Sequence, residues 1–223
     1  MRVCHIVPQL PPVREGIGLY ALALAAELEK NEGIESVFVA AAPGWAPGEG
    51  TPAGAVGLAA RTPEALLAAV EAVGPVDRVL LHYVAYGYHP EGLPFWLVRA
   101  AKALEARGLA PVIAYHEMWA TGPFWKKAFY TAPFQKGIAR ALLRHAASAY
   151  TTVGCYNRLL LGLQRPGEAK ADPAGPIPGF GMAGDPDARA SAGGLRLLLY
   201  GLPFTRRLAL HAHRRLLRRW AEA

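Results

Sequence analysis

Short apolar runs alternate with amphipathic stretches from the start of the chain to about residue 164. Five of these runs predict strands, namely RVCHIV, SVFVAAA, RVLLHY, PVIAYHE and SAYTTVG. Runs that are apolar nearly throughout are typical of strands buried on both faces of a parallel sheet. Because helical patterns lie between them, the chain is predicted to be an α/β protein, a Rossmann-like parallel sheet with helices on both faces.

Glycine, proline and capping residues delimit the helical segments. The first helix is predicted over residues 18–30, and the next begins after Thr62, whose hydroxyl suits an N-cap. The segments LPFWLVRAAKALEARG and CYNRLLLGL predict two more helices. A long helical region over residues 124–145 is predicted to break near Pro133, because an internal proline removes a helical hydrogen bond.

The composition divides the chain into three parts. Residues 1–164 are predicted to form the Rossmann-like domain. Residues 165–194 are crowded with Gly and Pro and are predicted to be a linker, with GPIPGF as a short edge strand. Residues 195–223 predict a strand, LRLLLYG, followed by a basic helix, and so a short β-α extension at the C-terminus.

Composition also limits the class of protein. The chain has 223 residues of which 52% are hydrophobic, so it fills a sizeable core and is not a disordered protein. Its apolar segments fall short of the roughly 20 residues of a membrane-spanning helix. The N-terminus reaches Pro8 too soon for a signal peptide, so a cytoplasmic protein is expected. Cys4 and Cys155 lack the spacing of a metal or redox pair.

The loop after the first strand, PPVREGIG, is the first candidate for chemistry. Gly16 and Gly18 lie where a helix begins, and backbone amides at a helix N-terminus can bind a phosphate or a sugar oxygen. A glycine-rich turn that serves packing alone is the alternative. A dinucleotide site is disfavoured, because the loop is long, has no third glycine, and the second strand ends at Ala42 without an acidic residue.

The segment MRVCHIVPQLPPVREGIGLYALALAAELEK resembles the start of a family-four glycosyltransferase of the GT-B fold, with its loop of the form PP-x-x-G-G-x-G. Glu15 stands at the first of the paired glycines. The resemblance continues through LLHYVAYGYHPEGLPFWL, VIAYHEMW and TTVGCYNRLL. It implies the N-terminal, acceptor-side lobe of a retaining enzyme. Such an enzyme transfers a sugar from a nucleotide-sugar donor to a glycan or lipid-linked acceptor. No metal and no cofactor are expected, since the sequence has no H-E-x-x-H, C-x-x-C or Walker motif.

In that family the glycine loop lies at the cleft between the two lobes. The resemblance therefore assigns Gly16, Ile17 and Gly18 to substrate and phosphate binding. Replacing both glycines by valine is expected to abolish binding while leaving the fold intact.

Polar and aromatic residues end the third and fourth predicted strands, where an open α/β sheet binds its ligands. The resemblance assigns a sugar-contacting strand-end histidine to His116, and Glu117 is the second catalytic candidate. Each can instead have a structural role in its loop. His82, Tyr83 and Tyr86 are candidates for an acceptor wall, because aromatic faces stack on sugars. Packing of a Tyr-rich loop over the sheet is the alternative.

One further pair of polar residues flanks the last predicted strand-to-helix turn. Thr152 and Asn157 can contact a ligand there or cap the helix.

The net charge of +7 points to an acidic partner. The arginine-rich segment TRRLALHAHRRLLRRW predicts a helix that lies on anionic lipid or packs on the sheet with its arginines solvated. Lys126, Lys127, Lys136, Arg140 and Arg144 form a second basic group. Peripheral contact with the inner face of a membrane is therefore one expectation, and a solvated basic surface is the alternative. Nucleic acid is disfavoured, since the chain lacks helix-turn-helix, zinc-finger and RNA-binding signatures.

A GT-B enzyme has a second lobe that binds most of the donor, and residues 195–223 resemble only the opening strand and helix of such a lobe. The chain is accordingly expected to be the N-terminal half of a glycosyltransferase. The alternative is a sugar- or nucleotide-binding module that is either non-catalytic or completed by a partner chain or a second copy.

Overall fold

The computed structural model describes residues 1–153 and 156–171. Six strands form one sheet in which every neighbouring pair is parallel, in the order β3-β2-β1-β4-β5-β6. The strand bounds are β1 Arg2–Val7, β2 Glu35–Ala40, β3 Val56–Gly57, β4 Arg78–Tyr83, β5 Val112–Tyr115 and β6 Ser148–Thr151. The strand order reverses next to β1, which confirms the predicted Rossmann-like α/β fold.

Helices connect successive strands except β2 and β3, and a last helix follows β6. Their bounds are α1 Gly16–Glu32, α2 Pro63–Ala72, α3 Ala85–Tyr88, α4 Phe95–Ala106, α5 Lys127–Arg144 and α6 Asn157–Leu161. The Thr62 hydroxyl accepts a hydrogen bond from the amide of Ala65 (3.2 Å), which confirms the predicted cap of α2. Gly33 ends α1 in the left-handed conformation (φ 62°), a backbone geometry that favours glycine.

The two faces of the sheet carry different helices, because alternate residues of a strand point to opposite faces. Cys4, Ile6 and Leu81 belong to the larger core cluster, which they share with side chains of α2, α4 and α5. Val7 and Phe38 point the other way and pack with Ala21 and other side chains of α1. Helix α1 therefore covers the face of the sheet that carries His5 and His82.

The sequence prediction was wrong at one helix. Residues 127–144 form a single helix that continues through Pro133, where a break was expected. Pro133 and Phe129 both lie on the exposed side of α5, so water can satisfy the Phe129 carbonyl that loses its helical donor.

Two short elements were not predicted from the sequence. The two-residue edge strand β3 and the single-turn helix α3 are too short to give a periodic signal.

Several sequence predictions fall on residues that the structure does not describe. These are the linker beyond residue 171, the GPIPGF strand, the strand over LRLLLYG and the basic C-terminal helix. Within the described residues, no helix is both long enough and apolar enough to cross a membrane.

Candidate functional site

Three histidines from neighbouring strands form a continuous row across the α1 face of the sheet. Nδ1 of His5 lies 3.1 Å from Nε2 of His82, and Nδ1 of His82 lies 3.1 Å from Nε2 of His116. At one end, Nε2 of His5 is 3.2 Å from the hydroxyl of Ser36. At the other, Nδ1 of His116 is 3.3 Å from the hydroxyl of Thr152. We call the three imidazoles the histidine row.

The strand register gives the row its direction. His5 is paired with Leu80, two residues before His82. His82 is paired with Ala114, two residues before His116. Each step from one strand to the next therefore advances along the strand direction. The row begins at the inner part of the sheet and ends at its carboxyl edge, where open α/β sheets bind ligands.

The row is buried, and its imidazoles are neutral at pH 7. His5 and His82 are fully buried, and His116 is partly exposed. Burial lowers the pKa of His5 and of His116 to about 4, because a charged imidazole loses its hydration there. The pKa of His82 is lowered well below its usual value, first by burial and then by its two histidine neighbours.

Aromatic rings hold the imidazoles in place. Neighbouring rings of the row stack with centroids 5.4 Å apart in both pairs. Phe38 stacks on His5 at 5.1 Å. The ring of Tyr20, from the first turns of α1, meets the His116 ring edge-on at 4.8 Å. Helix α1 thus positions the end of the row that approaches the carboxyl edge.

The N-terminus of α1 is capped by a carboxylate of the chain itself. Glu15 occupies the N-cap position, and its side chain accepts a hydrogen bond from the amide of Gly18 (2.9 Å). This places a negative charge where the sequence predicted a phosphate, and an anion would have to displace Glu15 from that amide. The binding roles of Gly16, Ile17 and Gly18 remain predictions.

The two glycines of the loop differ in their surroundings. A Cβ on Gly18 would lie 2.2 Å from the carbonyl oxygen of Gln9, whereas a Cβ on Gly16 would meet nothing within 4 Å. Gly18 therefore allows α1 to pack against the loop that leaves β1. The expectation that both glycines can be replaced with the fold intact is wrong for Gly18, since its Cβ would overlap backbone.

The predicted acceptor wall is only partly at the surface. Tyr83 is fully buried in the larger core cluster, with its ring 5.3 Å from Tyr115. Its expected surface role is wrong, because residue 83 points to the opposite face of the sheet from His82. His82 is equally inaccessible and contacts other residues of the row rather than solvent. Tyr86 is exposed on α3 and remains a candidate.

Glu117 follows His116 at the carboxyl edge and is exposed to solvent. Its partial burial nevertheless raises the pKa of the carboxyl group above its usual value. A carboxylate with a raised pKa is a better proton acceptor than an ordinary one, which suits a general base. Thr152 and Tyr20 contact His116 at the end of the row, and Glu117 is the next residue of the chain.

Sequence reasoning did not single out His5, Ser36 or Tyr20. A signal for His5 was present, because a histidine inside the buried strand RVCHIV needs a buried hydrogen-bond partner. The same argument applies to His82 in RVLLHY. Two such strands paired side by side would indicate that the histidines meet.

A separate cleft of about 420 Å³ opens at the opposite, amino edge of the sheet, between α2 and α4. Its walls are largely apolar, with Val70, Leu104 and Leu109 among them, and Arg107 pairs with Glu71 at its rim. Ligands of open α/β sheets bind at the other edge, so we place the candidate site at the histidine row.

Comparison with known proteins gives no family. No protein-family model matches the chain, and no curated protein gives a significant match. The function must therefore be argued from the site itself. Within the described residues, no three His, Cys, Asp or Glu side chains converge as ligands for a metal ion.

Proposed function

We propose that this chain is the acceptor-side lobe of a glycosyltransferase that takes its sugar from a nucleotide-sugar donor. The observation that carries the proposal is the end of the histidine row at the carboxyl edge beside α1, where Thr152 contacts His116 and Glu117 is the next residue of the chain. The resemblance of the β1-loop-α1 segment to the family-four enzymes supports the same reading.

The chemistry of these groups suits a neutral polyhydroxyl ligand. The imidazoles are uncharged near pH 7, and the Glu15 carboxylate occupies the amide that a phosphate would need. Glu117 supplies a carboxylate that can accept a hydrogen bond from a sugar hydroxyl. These features favour an acceptor sugar here, with the donor diphosphate bound by groups elsewhere.

His116 has a different role from the one expected. Both of its ring nitrogens are engaged within the protein, one with His82 and the other with Thr152. It therefore acts on a ligand through Thr152, and Glu117 is the general-base candidate in direct reach of solvent. Catalysis in such a lobe consists largely of holding the acceptor hydroxyl in position and receiving its proton.

A second observation supports a membrane-linked acceptor. Five aromatic side chains at the start of α5 and just before it are each at least half exposed, and we call them the aromatic surface. They are Phe124, Trp125, Phe129, Tyr130 and Phe134. Lys126 and Lys127 lie between them in the sequence, and Lys136 and Arg140 follow on α5. Aromatic rings with basic residues between them are typical of segments that dock on anionic membranes.

Docking can be measured with lipid vesicles. We expect the full chain to sediment with phosphatidylglycerol-containing vesicles and not with phosphatidylcholine vesicles, because the basic residues need anionic headgroups. Replacing Phe124 and Trp125 by alanine should weaken this binding by at least about tenfold, since two rings leave the interface. Leu161→Ala removes an exposed apolar side chain outside the aromatic surface and serves as the control. Equal binding by the double variant and the control would contradict the docking model.

The sugar site can be located by amide-resolved NMR. The full chain is titrated with simple methyl glycosides, and in a parallel series with nucleotide-sugars. Glu117→Gln is the matched variant, because it keeps the shape of the side chain and removes its charge. Saturable shifts at the amides of Glu117 and Thr152 that weaken in the variant are the expected result.

The alternative function shares this binding step. A non-catalytic module, or one completed by a partner chain or a second copy, would also bind a sugar at the carboxyl edge. It would differ in that sugar transfer by the chain requires the second chain or does not occur.

A further inference from the structure

The histidine row links polar groups from several strands, in addition to positioning His116. Its five polar groups come from β2, β1 and β4 and from the residues that follow β5 and β6. The backbone continues the ladder at the last two, since His116 donates its amide proton to Tyr83 and Thr152 donates to Tyr115. Among the described strands, each one except β3 therefore provides one group of a continuous row, either from within the strand or from the residue that follows it.

We propose that the histidine row and the two hydroxyls at its ends form one proton relay, which consists of Ser36, His5, His82, His116 and Thr152. His5 and His82 are positioning residues in this relay. They fix which nitrogen of His116 is protonated, and so whether the Thr152 hydroxyl donates to His116 or accepts from it. The inference deepens the proposed function, on which it rests, because it gives the acceptor site a second route, besides the Glu117 carboxylate, by which the proton of the attacking hydroxyl leaves. It names Thr152, rather than His116, as the group that faces the ligand.

The connectivity of the rings dictates their tautomers. Each contact joins the Nδ1 of one ring to the Nε2 of the next. A neutral imidazole has one nitrogen that donates and one that accepts. If His5 carries its proton on Nδ1, His82 must accept on Nε2 and therefore also carries its proton on Nδ1, and the same holds for His116. The three rings must share one tautomer, all Nδ1–H or all Nε2–H.

The relay step conserves every atom and charge. In the all-Nε2–H state the Thr152 hydroxyl donates to His116. A proton that arrives at Thr152 Oγ1 sends the hydroxyl proton to His116 Nδ1. The Nε2 proton of His116 then passes to His82 Nδ1, and that of His82 to His5 Nδ1. The Nε2 proton of His5 passes to Ser36, and the Ser36 proton leaves to water. The row finishes all Nδ1–H and uncharged.

The ends of the row fit this path. Ser36 and Thr152 are both partly exposed, whereas the rings of His5 and His82 between them are fully buried. The buried rings are closed in by Phe38 and Tyr20, which contribute no carboxylate or cationic group to the row. Protons can therefore enter and leave at the two hydroxyls.

Nitrogen NMR of the histidine side chains tests the relay without any ligand. In the wild-type chain at pH 7.5 we expect His5, His82 and His116 to show the same protonated nitrogen. His145, which pairs with Glu105 at the surface, is an internal reference outside the row. A row in which the three tautomers differ would overturn the proposal.

Substitutions at the ends separate a relay from three independent contacts. Thr152→Val should shift the ring nitrogens of His5, which lies at the far end, and Ser36→Ala should shift those of His116. Ser148→Ala is the control, because Ser148 lies on β6, the strand that leads to Thr152, but is not part of the row. It should leave the ring nitrogens of both His5 and His116 unchanged. Shifts confined to the ring next to each substitution would overturn the relay. Because no sugar is present, this failure is distinct from failure of the proposed function, which the glycoside titration measures.

Discussion

Lowering the pH from 7.5 to 5.5 should reduce the free energy of unfolding by about 4 kcal/mol. Each of the three histidines of the row contributes about 1.4 kcal/mol over the one pH unit below its unfolded pKa of about 6.5. The native pKa of His5 and of His116 is about 4, and that of His82 is also well below 6.5. Between pH 6.5 and 4 the unfolded chain therefore binds more protons than the native chain. Stability is present above pH 6.5 and is lost as the pH falls through this window.

Urea unfolding at pH 7.5, 6.5 and 5.5 measures this dependence, with the slope m as a check that the extent of unfolding stays the same. The lower limit of pH 5.5 keeps ordinary carboxylates ionised. His5→Leu should reduce the pH dependence, because one neutral buried imidazole is removed. Leu161→Ala, a change at an exposed side chain that does not titrate, should leave it intact. Stability that is flat from pH 7.5 to 5.5 would contradict the buried neutral row.

The second large effect is expected at Gly18. Replacing Gly18 by alanine should destabilise the fold by about 3 kcal/mol, because the new methyl group would lie 2.2 Å from the Gln9 carbonyl oxygen and 3.3 Å from its carbon. Backbone cannot rotate away from this overlap as a flexible side chain could. The first turn of α1 would have to move away from the loop after β1, and with it Tyr20, which packs on His116.

Gly16→Ala is the matched control, two residues earlier in the same turn. Its Cβ would meet nothing within 4 Å, so its effect on the free energy of unfolding should stay within about 0.5 kcal/mol. Thermal unfolding of the two variants beside the wild-type chain gives the comparison. If both glycines tolerate alanine equally, α1 does not approach the Gln9 carbonyl as closely as the structure has it.

The fold could be predicted from the sequence because its signals are local. The strand over residues 78–83 is an apolar run, and Thr62 with Pro63 marks a helix start by itself. The predicted break at Pro133 was wrong. A proline usually interrupts a helix, but here the packing of Ile138 and Leu142 stabilises α5 on its buried side. Tertiary packing overrides local propensity at that position.

The site was less predictable because it depends on the register between strands. His5 and His82 are 77 positions apart, and their contact follows from which residues of β1 and β4 are paired. Tyr83 was wrongly predicted to lie at the surface for a related reason. Neighbouring residues of a strand point to opposite faces of the sheet, so an offset of one residue moves a side chain to the other face. Glu15 at the cap of α1 could have been anticipated, because a carboxylate at a helix N-terminus is favourable.

The glycoside titration followed by amide-resolved NMR asks whether a sugar binds at the end of the histidine row. With a neutral glycoside we expect saturable shifts at Glu117, Thr152 and the first turn of α1, and smaller shifts in Glu117→Gln. The proposed sugar site is contradicted if glycosides and nucleotide-sugars shift only the amides of other residues. It is also contradicted if no compound of either series gives a saturable shift.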